Sequence, residues 1–210
     1  TIFPFAIIGA LIVIHLTALH RVGSNNPEGV DFDKKGGRVL PFAPYFITKD
    51  AWFISLAFSI FLYFVFFWPD AFMEPVNNEP ANPLKTPLHI VPEWYFLPFY
   101  AILRAVPSKG WGAFLMAMAI VFLFLLPWLD RCKVKSIRYR GWTYKVALAV
   151  FVVSFLALGF LGLQPASTLY VYAARFFGIL YFAFFLLMPL YTSREQTKPV
   201  PERVVYHGHQ

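Results

Sequence analysis

The stretch AFLMAMAIVFLFLLPWL occupies Ala113–Leu129 and contains no charged side chain. A helix of about 17–25 predominantly apolar residues is long enough to cross the hydrocarbon core of a lipid bilayer. A helix also satisfies its own backbone hydrogen bonds in lipid, where no water is available to do so. The stretch therefore predicts a transmembrane α-helix.

The composition of the whole chain agrees with a lipid environment. Of its 210 residues, 59% are hydrophobic, 20% aromatic and 14% charged, whereas soluble domains carry about 25% charged residues. This apolar content excludes a disordered chain. The single cysteine, Cys132 in a basic loop, excludes a disulfide scaffold and is interpreted as structurally incidental. The net charge of +7 does not by itself indicate nucleic acid, because basic residues of membrane proteins collect in loops.

Four further stretches resemble the first in length and composition. They are Ile2–Leu19, Ala51–Trp68, Val146–Leu163 and Phe176–Tyr191, the last extending back toward Tyr170. None of the five contains Asp, Glu, Lys or Arg. Because apolar sequence begins at Ile2 without a charged flank, we expect the chain to start inside a helix. We predict an all-α membrane protein, a transmembrane helix bundle with about five spans.

The basic residues predict how the spans are oriented. Residues 21–50, residues 130–145 and the polar tail 193–210 are rich in Lys and Arg, whereas residues 69–112 and 164–169 carry few or none. Positively charged loops remain on the cytoplasmic or matrix side. We therefore expect both basic loops and the C-terminus on that side, which a count of five spans requires.

The segment of residues 69–112 breaks this regular pattern. It is long and rich in proline, and its centre, His89–Arg104, is too apolar to be disordered in water. We expect this centre to form a short amphipathic helix at the outer interface, packed on the bundle. One carboxylate, Glu93, is embedded there among aromatic residues.

Two histidines of the first stretch have alternative interpretations. His15 either forms an interhelical hydrogen bond with Ser or Thr or is an axial ligand of haem iron, and residue type alone modestly favours the hydrogen bond. His20 follows five residues later, which on a helix is about 140° around and about 7.5 Å along the axis. The two imidazoles therefore cannot ligate one iron. Without further context, His20 is a solvated residue at the inner boundary.

Two carboxylates are equally open to interpretation. An aromatic, partly desolvated setting makes Glu93 a candidate proton acceptor. The alternative is a carboxylate that satisfies backbone N–H groups at a helix start beside Pro92, and from the residues alone the two interpretations are comparable. Asp50, next to Lys49 at the start of the second span, is likewise a candidate helix N-terminal charge and nothing more.

Several motifs in this sequence resemble those of one family, cytochrome b, the quinol-oxidising subunit of cytochrome bc complexes. In chain order these are HLTALHRVGSNNP at His15–Pro27, the run Pro44–Asp50, NPLKTP at Asn82–Pro87, and PEWY at Pro92–Tyr95 with the following Tyr100 and Arg104. The first resembles the exit of the family's fourth helix, and PEWY is a family signature. The resemblance covers nearly the whole chain.

The resemblance implies a role for each candidate residue. It implies that His15 is an axial ligand of the haem nearer the cytoplasmic face. A quinol-oxidising site on the outer face would have Glu93 and Tyr95 as catalytic residues, with Pro92, Trp94 and Tyr100 binding quinol. A quinone-reducing site on the inner face would have His20 and Asp50 as catalytic residues, with Ser24 and Lys49 binding quinone and Lys49 also assisting proton delivery.

The same resemblance implies the activity, cofactors and partners. The subunit would transfer electrons from quinol through two b haems to quinone, with proton translocation, in a quinol–cytochrome c reductase. Its cofactors would be haem b, for which this chain supplies His15, and quinone. Its partners would be a Rieske iron–sulfur protein, a cytochrome c1-type subunit, the N-terminal half of cytochrome b, the bilayer and a second copy of the complex. The membrane would be the bacterial cytoplasmic or mitochondrial inner membrane, and no nucleic acid is expected.

The family's first three helices have no counterpart in this sequence. We therefore expect a C-terminal fragment with three parts: the end of a haem-ligating helix at 1–20, a cytochrome b-like membrane domain at 21–192 and a polar tail at 193–210. Two alternatives are a haem-free quinone-binding scaffold of a split cytochrome b and an unrelated polytopic transporter. A scaffold does not need His15, and a transporter usually carries charges within its spans, which the five stretches lack.

Overall fold

The computed structural model describes residues 2–30, 40–73, 75–85 and 90–202, and these ranges contain helices and no strand. The predicted all-α class is therefore confirmed. The α-helices are α1 (Ile2–Val22), α2 (Tyr45–Phe67), α3 (Leu97–Ala105), α4 (Lys109–Leu129), α5 (Trp142–Leu163), α6 (Thr168–Leu186) and α7 (Met188–Ser193). The end of the NPLKTP motif, His89 and the tail beyond residue 202 lie outside the described residues.

Five of these helices, α1, α2, α4, α5 and α6, are long and apolar enough to cross a membrane, with mean hydropathies from 1.7 to 2.7. The predicted number of spans is confirmed. The fifth span, however, begins at Thr168 and includes Arg175, so the expectation that no span carries a charged side chain is wrong. The helix begins before Arg175 because most of the residues that precede Arg175 are also apolar. It ends at Leu186, before the predicted Tyr191, because Pro189 has no backbone N–H to donate to the carbonyl oxygen of Phe185 four residues earlier.

The described chain divides into two compact units. One contains residues up to 31 together with residues from 92 onward, and the other contains residues 32–91. The second unit consists mainly of α2 and the 3-10 turn Pro69–Phe72, whose Phe72 ring lies 4.8 Å from that of Phe64. None of the residues of α2 is buried.

The core of the first unit forms where α3 packs against α4, α5 and α6. One face of α3 is buried through Leu97, Ala101, Ile102 and Ala105. This confirms the predicted short helix packed on the bundle. The partner residues on the three long helices are fully or almost fully buried and include Ala119, Leu158, Tyr181 and Phe185.

Two glycines allow the short helix to approach its neighbours. A Cβ atom on Gly112 of α4 would clash with the carbonyl oxygen of Leu103, and one on Gly162 of α5 would lie 2.5 Å from that of Leu97. A carbon atom does not tolerate so close an approach. The backbone of α3 therefore contacts α4 and α5 directly, which fixes its position on the bundle.

Candidate functional site

The segment Pro92–Tyr95 forms the turn that leads into α3. Glu93 precedes a 3-10 turn at Trp94–Phe96, and its carbonyl oxygen accepts a hydrogen bond of 2.9 Å from the N–H of Phe96. The Glu93 side chain makes no capping hydrogen bond, so the interpretation of Glu93 as a helix-start cap is not supported. The side chains of Trp94 and Tyr95 are 77% and 60% exposed.

Glu93 itself is exposed, so the described residues of this chain do not form the partly desolvated setting expected for it. The reason lies in the register of α3, whose buried face begins only at Leu97. The residues before that position consequently lie outside the core. The turn therefore presents a carboxylate and two aromatic rings on the surface of this chain.

Arg104 fastens the far end of α3 to α5. Its Nη1 donates to the carbonyl oxygen of Gln164 at 3.0 Å, and its Nη2 donates to those of Leu161 and Gly162 at 2.9 and 3.0 Å. The last carbonyl groups of a helix have no partner within it and favour a cation. The guanidinium carbon also lies 4.6 Å from the centre of the Tyr100 ring. Arg104 thus holds both α3 and Tyr100 in place.

The two histidines of α1 differ in their surroundings. His15 is exposed and has no hydrogen bond to any residue that the structure describes, so its predicted bond to Ser or Thr is not seen there. His20 Nδ1 lies 2.8 Å from the carbonyl oxygen of Leu16, one turn earlier. In a neutral ring this contact places the proton on Nδ1 and the lone pair on Nε2. Because α1 is an uninterrupted α-helix, the two rings lie on different faces.

The remaining candidates for the inner site belong to both units. Gly23 adopts a φ of +83° and ends α1, which leaves Ser24 exposed just beyond the helix. Lys49 and Asp50 lie within α2, which begins six residues before the predicted Ala51. Asp50 is therefore not in the first turn of α2, and its interpretation as a helix N-terminal charge loses support.

An ionic cluster that sequence analysis missed anchors the segment after α1. Glu28 is 1% exposed, and its carboxylate accepts hydrogen bonds from the guanidinium of Arg138 and the hydroxyl of Tyr139. Ser136 Oγ donates to the carbonyl oxygen of Pro27 at 2.6 Å. The sequence offers no signal for these contacts, because the partners lie more than a hundred residues apart.

A second ionic cluster joins the loop between α4 and α5 to the tail. The buried guanidinium of Arg140 donates to Asp130 at 2.5 and 3.0 Å and to Glu195 at 2.9 and 3.2 Å. Burial disfavours the charged form of Arg140, but the Asp130 and Glu195 carboxylates stabilise that form more strongly. The pKa of Arg140 is therefore raised. Burial also raises the pKa of the nearby Cys132 thiol. A raised thiol pKa disfavours the reactive thiolate, which is consistent with an incidental cysteine.

Among the residues that the structure describes, no three His, Cys, Asp or Glu side chains gather as a metal site. A haem iron needs fewer side-chain ligands than such a metal site, and imidazole is a usual one. His15 offers one imidazole without a competing hydrogen bond to a described residue, on a helix apolar enough to lie against a porphyrin ring. The imidazole of His15 is therefore a side chain that could hold the iron of a haem.

Comparisons with known proteins point in one direction. Residues 80–182 match the family described as cytochrome b (C-terminal)/b6/petD. Over 97% of its length the chain is 49% identical to a cytochrome b of Allochromatium vinosum, and over 96% it is 50% identical to one of Rickettsia prowazekii. A solved structure titled hyperthermophilic respiratory complex III superposes with a TM-score of 0.81 at 40% identity and covers 88% of this chain.

These relatives are considerably longer than the present chain. The match covers 53% of the Allochromatium relative, 50% of the Rickettsia relative and 47% of the chain in the solved structure. The chain thus spans about half the length of the curated relatives it matches.

Proposed function

We propose, because the chain belongs to the cytochrome b family, that it forms the C-terminal part of the quinol-oxidising subunit of a bc complex. It is an integral membrane protein with five helices able to span a bilayer. The observation that carries the proposal is the position of the PEWY turn. It lies at the start of a short helix that Gly112, Gly162 and Arg104 fix against α4 and α5.

On the outer face, the chain's contribution to quinol oxidation is a proton acceptor on this turn. Glu93 is an exposed carboxylate without a capping bond, so it is able to accept a proton and to release it to water. Tyr95 on the same turn and Tyr100 on α3 contribute phenol side chains, and Pro92 and Trp94 offer apolar surface for a quinol ring. Positioning a proton acceptor within hydrogen-bond reach of the substrate is the general requirement for such a step.

For the cofactor, His15 is the residue of this chain that would hold haem b, through its imidazole. When bound, haem would supply reversible one-electron chemistry. His15 lies on α1, whose apolar surface is exposed along its whole length. The chain's task here is to hold a neutral imidazole at a fixed depth in the membrane.

On the inner face, we propose that His20 and Asp50 each deliver protons to quinone. His20 Nδ1 lies 2.8 Å from the Leu16 carbonyl oxygen, and imidazole is the side chain that most often carries protons in proteins. Ser24 and Lys49 each lie close in sequence to one of these groups and supply further polar contacts. Proton uptake inside and release outside is the arrangement that a proton-translocating reductase requires.

Membership of the family also suggests the assembly. We assign as partners a Rieske iron–sulfur protein, a cytochrome c1-type subunit, the N-terminal half of cytochrome b and a second copy of the complex. The distribution of basic residues favours a cytoplasmic or matrix position for the loops 21–50 and 130–145 and the C-terminus. The PEWY turn then faces the opposite side, where an external electron acceptor has access.

The experiment that tests this proposal is the Glu93→Gln substitution in the complete complex. The amide keeps the size of the side chain and cannot accept a proton, so quinol oxidation should slow by about 10²–10⁴-fold, as for loss of a general base. Steady-state reduction of cytochrome c by quinol measures the effect. The matched control is Glu79→Gln, an exposed carboxylate earlier in the chain and outside the PEWY motif, which should leave the rate unchanged. Equal rates for both variants would overturn the role of Glu93.

A further inference from the structure

A cleft of about 780 Å³ runs between α4 and α6 beside the end of α3, and no catalytic residue named above lies in it. Its walls are apolar and include Phe114, Met118 and Phe122 on α4 and Gly178 and Phe182 on α6. Arg175 is the one charged residue among the described residues that line it. The volume lies within the range of about 300–1,000 Å³ that is usual for small-molecule sites.

Arg175 is incompletely satisfied in the part of the chain that the structure describes. Its Nε donates to the carbonyl oxygen of Ala105 at 2.7 Å, and its guanidinium carbon lies 5.0 Å from the centre of the Tyr172 ring. The two Nη atoms make no hydrogen bond to a described residue. A guanidinium carries five N–H donors in a planar fork, so most of its donors are available to a ligand in the cleft.

The position of Arg175 along α6 indicates the kind of ligand. It lies seven residues after Thr168, about 10 Å from the start of the helix. Side chains on a helix point back toward its N-terminus, so the guanidinium reaches toward the end of the span, where long basic side chains meet headgroups. The cleft itself extends along the apolar part of the same helix as far as Leu187.

We propose that this cleft binds an anionic phospholipid, with its phosphate on the Nη atoms of Arg175 and an acyl chain between α4 and α6. A phosphate matches the guanidinium fork with two parallel hydrogen bonds. No acidic side chain among the described lining residues competes for Arg175. A phospholipid supplies both the anion and the apolar chain in one molecule and is always present beside a span. This inference goes beyond the proposed function and does not depend on it.

The test counts lipids on the complete complex by native mass spectrometry. The purified complex is incubated with phosphatidylglycerol or with phosphatidylcholine of identical acyl chains. Wild type should retain one phosphatidylglycerol per copy of this chain that Arg175→Gln loses, and phosphatidylcholine should not replace it. The control Lys109→Gln removes an exposed cation that does not line the cleft and should retain the lipid.

A second variant blocks the cleft while leaving Arg175 intact. A Cβ atom on Gly178 would meet no atom within 4 Å, so the side chain of Gly178→Leu has room at its base, extends into the cleft and should also prevent lipid binding. This variant decides the outcome if Arg175→Gln fails to assemble. Equal retention of phosphatidylglycerol by wild type and Gly178→Leu overturns the proposal, as does equal retention of the two lipids. Cross-linking of Gly178→Cys to another polypeptide overturns it too, because a partner helix would then fill the cleft.

Discussion

Helices α1 and α4 are alike in length and hydropathy but differ in how they pack. Each has 21 residues and a mean hydropathy of 2.4 over its most apolar window. None of the residues of α1 is buried, whereas α4 buries Gly112 and Ala119 against its neighbours. Hydropathy therefore identifies a helix that can cross a membrane, but it does not indicate whether that helix packs against others in the chain.

Small residues account for the difference. In a bilayer, moving an apolar side chain from lipid to a helix–helix interface gains no hydrophobic free energy. Helices therefore associate where small residues allow close contact. Gly112 and Gly162 each face a carbonyl oxygen of α3, whereas a Cβ on Gly9 of α1 would meet no atom within 4 Å. The bundle is thus built for close packing of α3, and α1 presents His15 on an open surface.

The largest expected effect is that of His15→Leu in the complete subunit. Leucine keeps α1 apolar and helical but removes the imidazole, so one haem should lose an axial ligand. The reduced-minus-oxidised optical spectrum should then lose one of two b-type signals, and quinol–cytochrome c reductase activity should be lost with it.

The control for this prediction is Thr17→Val on the same helix. The Thr17 hydroxyl donates to the carbonyl oxygen of Val13, 2.8 Å away on α1 itself, so this variant should keep both haem signals. If both signals persist in His15→Leu, α1 does not ligate haem and the assignment of the inner face is lost with it.

A smaller effect is expected from Gly162→Ala, which tests the close contact of α3. The new methyl group would lie 2.5 Å from the carbonyl oxygen of Leu97, and such overpacking typically costs about 1–3 kcal/mol. The unfolding midpoint of the complex should fall. Because Leu97 comes directly after the PEWY turn and Phe96, kcat/KM for quinol should fall as well.

Gly9→Ala on α1 is the matched substitution. It adds the same methyl group in open space and replaces glycine by a better helix former, worth up to about 1 kcal/mol. Its midpoint should stay the same or rise. Equal falls for the two variants would mean that the contact between Gly162 and Leu97 does not distinguish the bundle from α1.

Sequence reasoning predicted the helices well because the apolar stretches and prolines are local signals. The number of spans and the short helix at Leu97–Ala105 were both predicted in this way, whereas the fifth span was predicted to continue to Tyr191 and instead ends at Leu186. The extension of the fifth stretch toward Tyr170 already included Arg175, but the statement that the spans carry no charge considered only Phe176–Tyr191.

The candidate sites were predicted only as far as their motifs extend. Glu93 was identified from PEWY, but its exposure depends on the register of α3 against α5, which Gly162 and Arg104 set from distant positions. The anchor at Glu28 could not be predicted at all. Glu28 contacts Arg138 and Tyr139, which lie more than a hundred residues later in the sequence. A single sequence gives no sign of such a distant contact.

The smallest expected effect concerns this anchor, which lies just beyond the open helix α1. Glu28→Gln keeps the shape of the side chain but removes the charge that the Arg138 guanidinium and Tyr139 hydroxyl share. We expect a loss of about 1–2 kcal/mol, since Arg138 is half exposed and water replaces part of the interaction. Hydrogen exchange of the complex should increase in residues 26–30 and 136–140. Glu202→Gln, at an exposed carboxylate of the tail, should leave it unchanged.

The haem spectrum of Glu28→Gln then sharpens the comparison between α1 and the bundle. His15 and Glu28 are separated by the end of α1 at Val22 and by the left-handed Gly23. If α1 takes its position from its own surroundings in the membrane, faster exchange at the anchor should leave both b-type signals unchanged. A shifted signal would mean that the ionic contact at Glu28 positions the ligand helix, and that the bundle controls α1 through its exit.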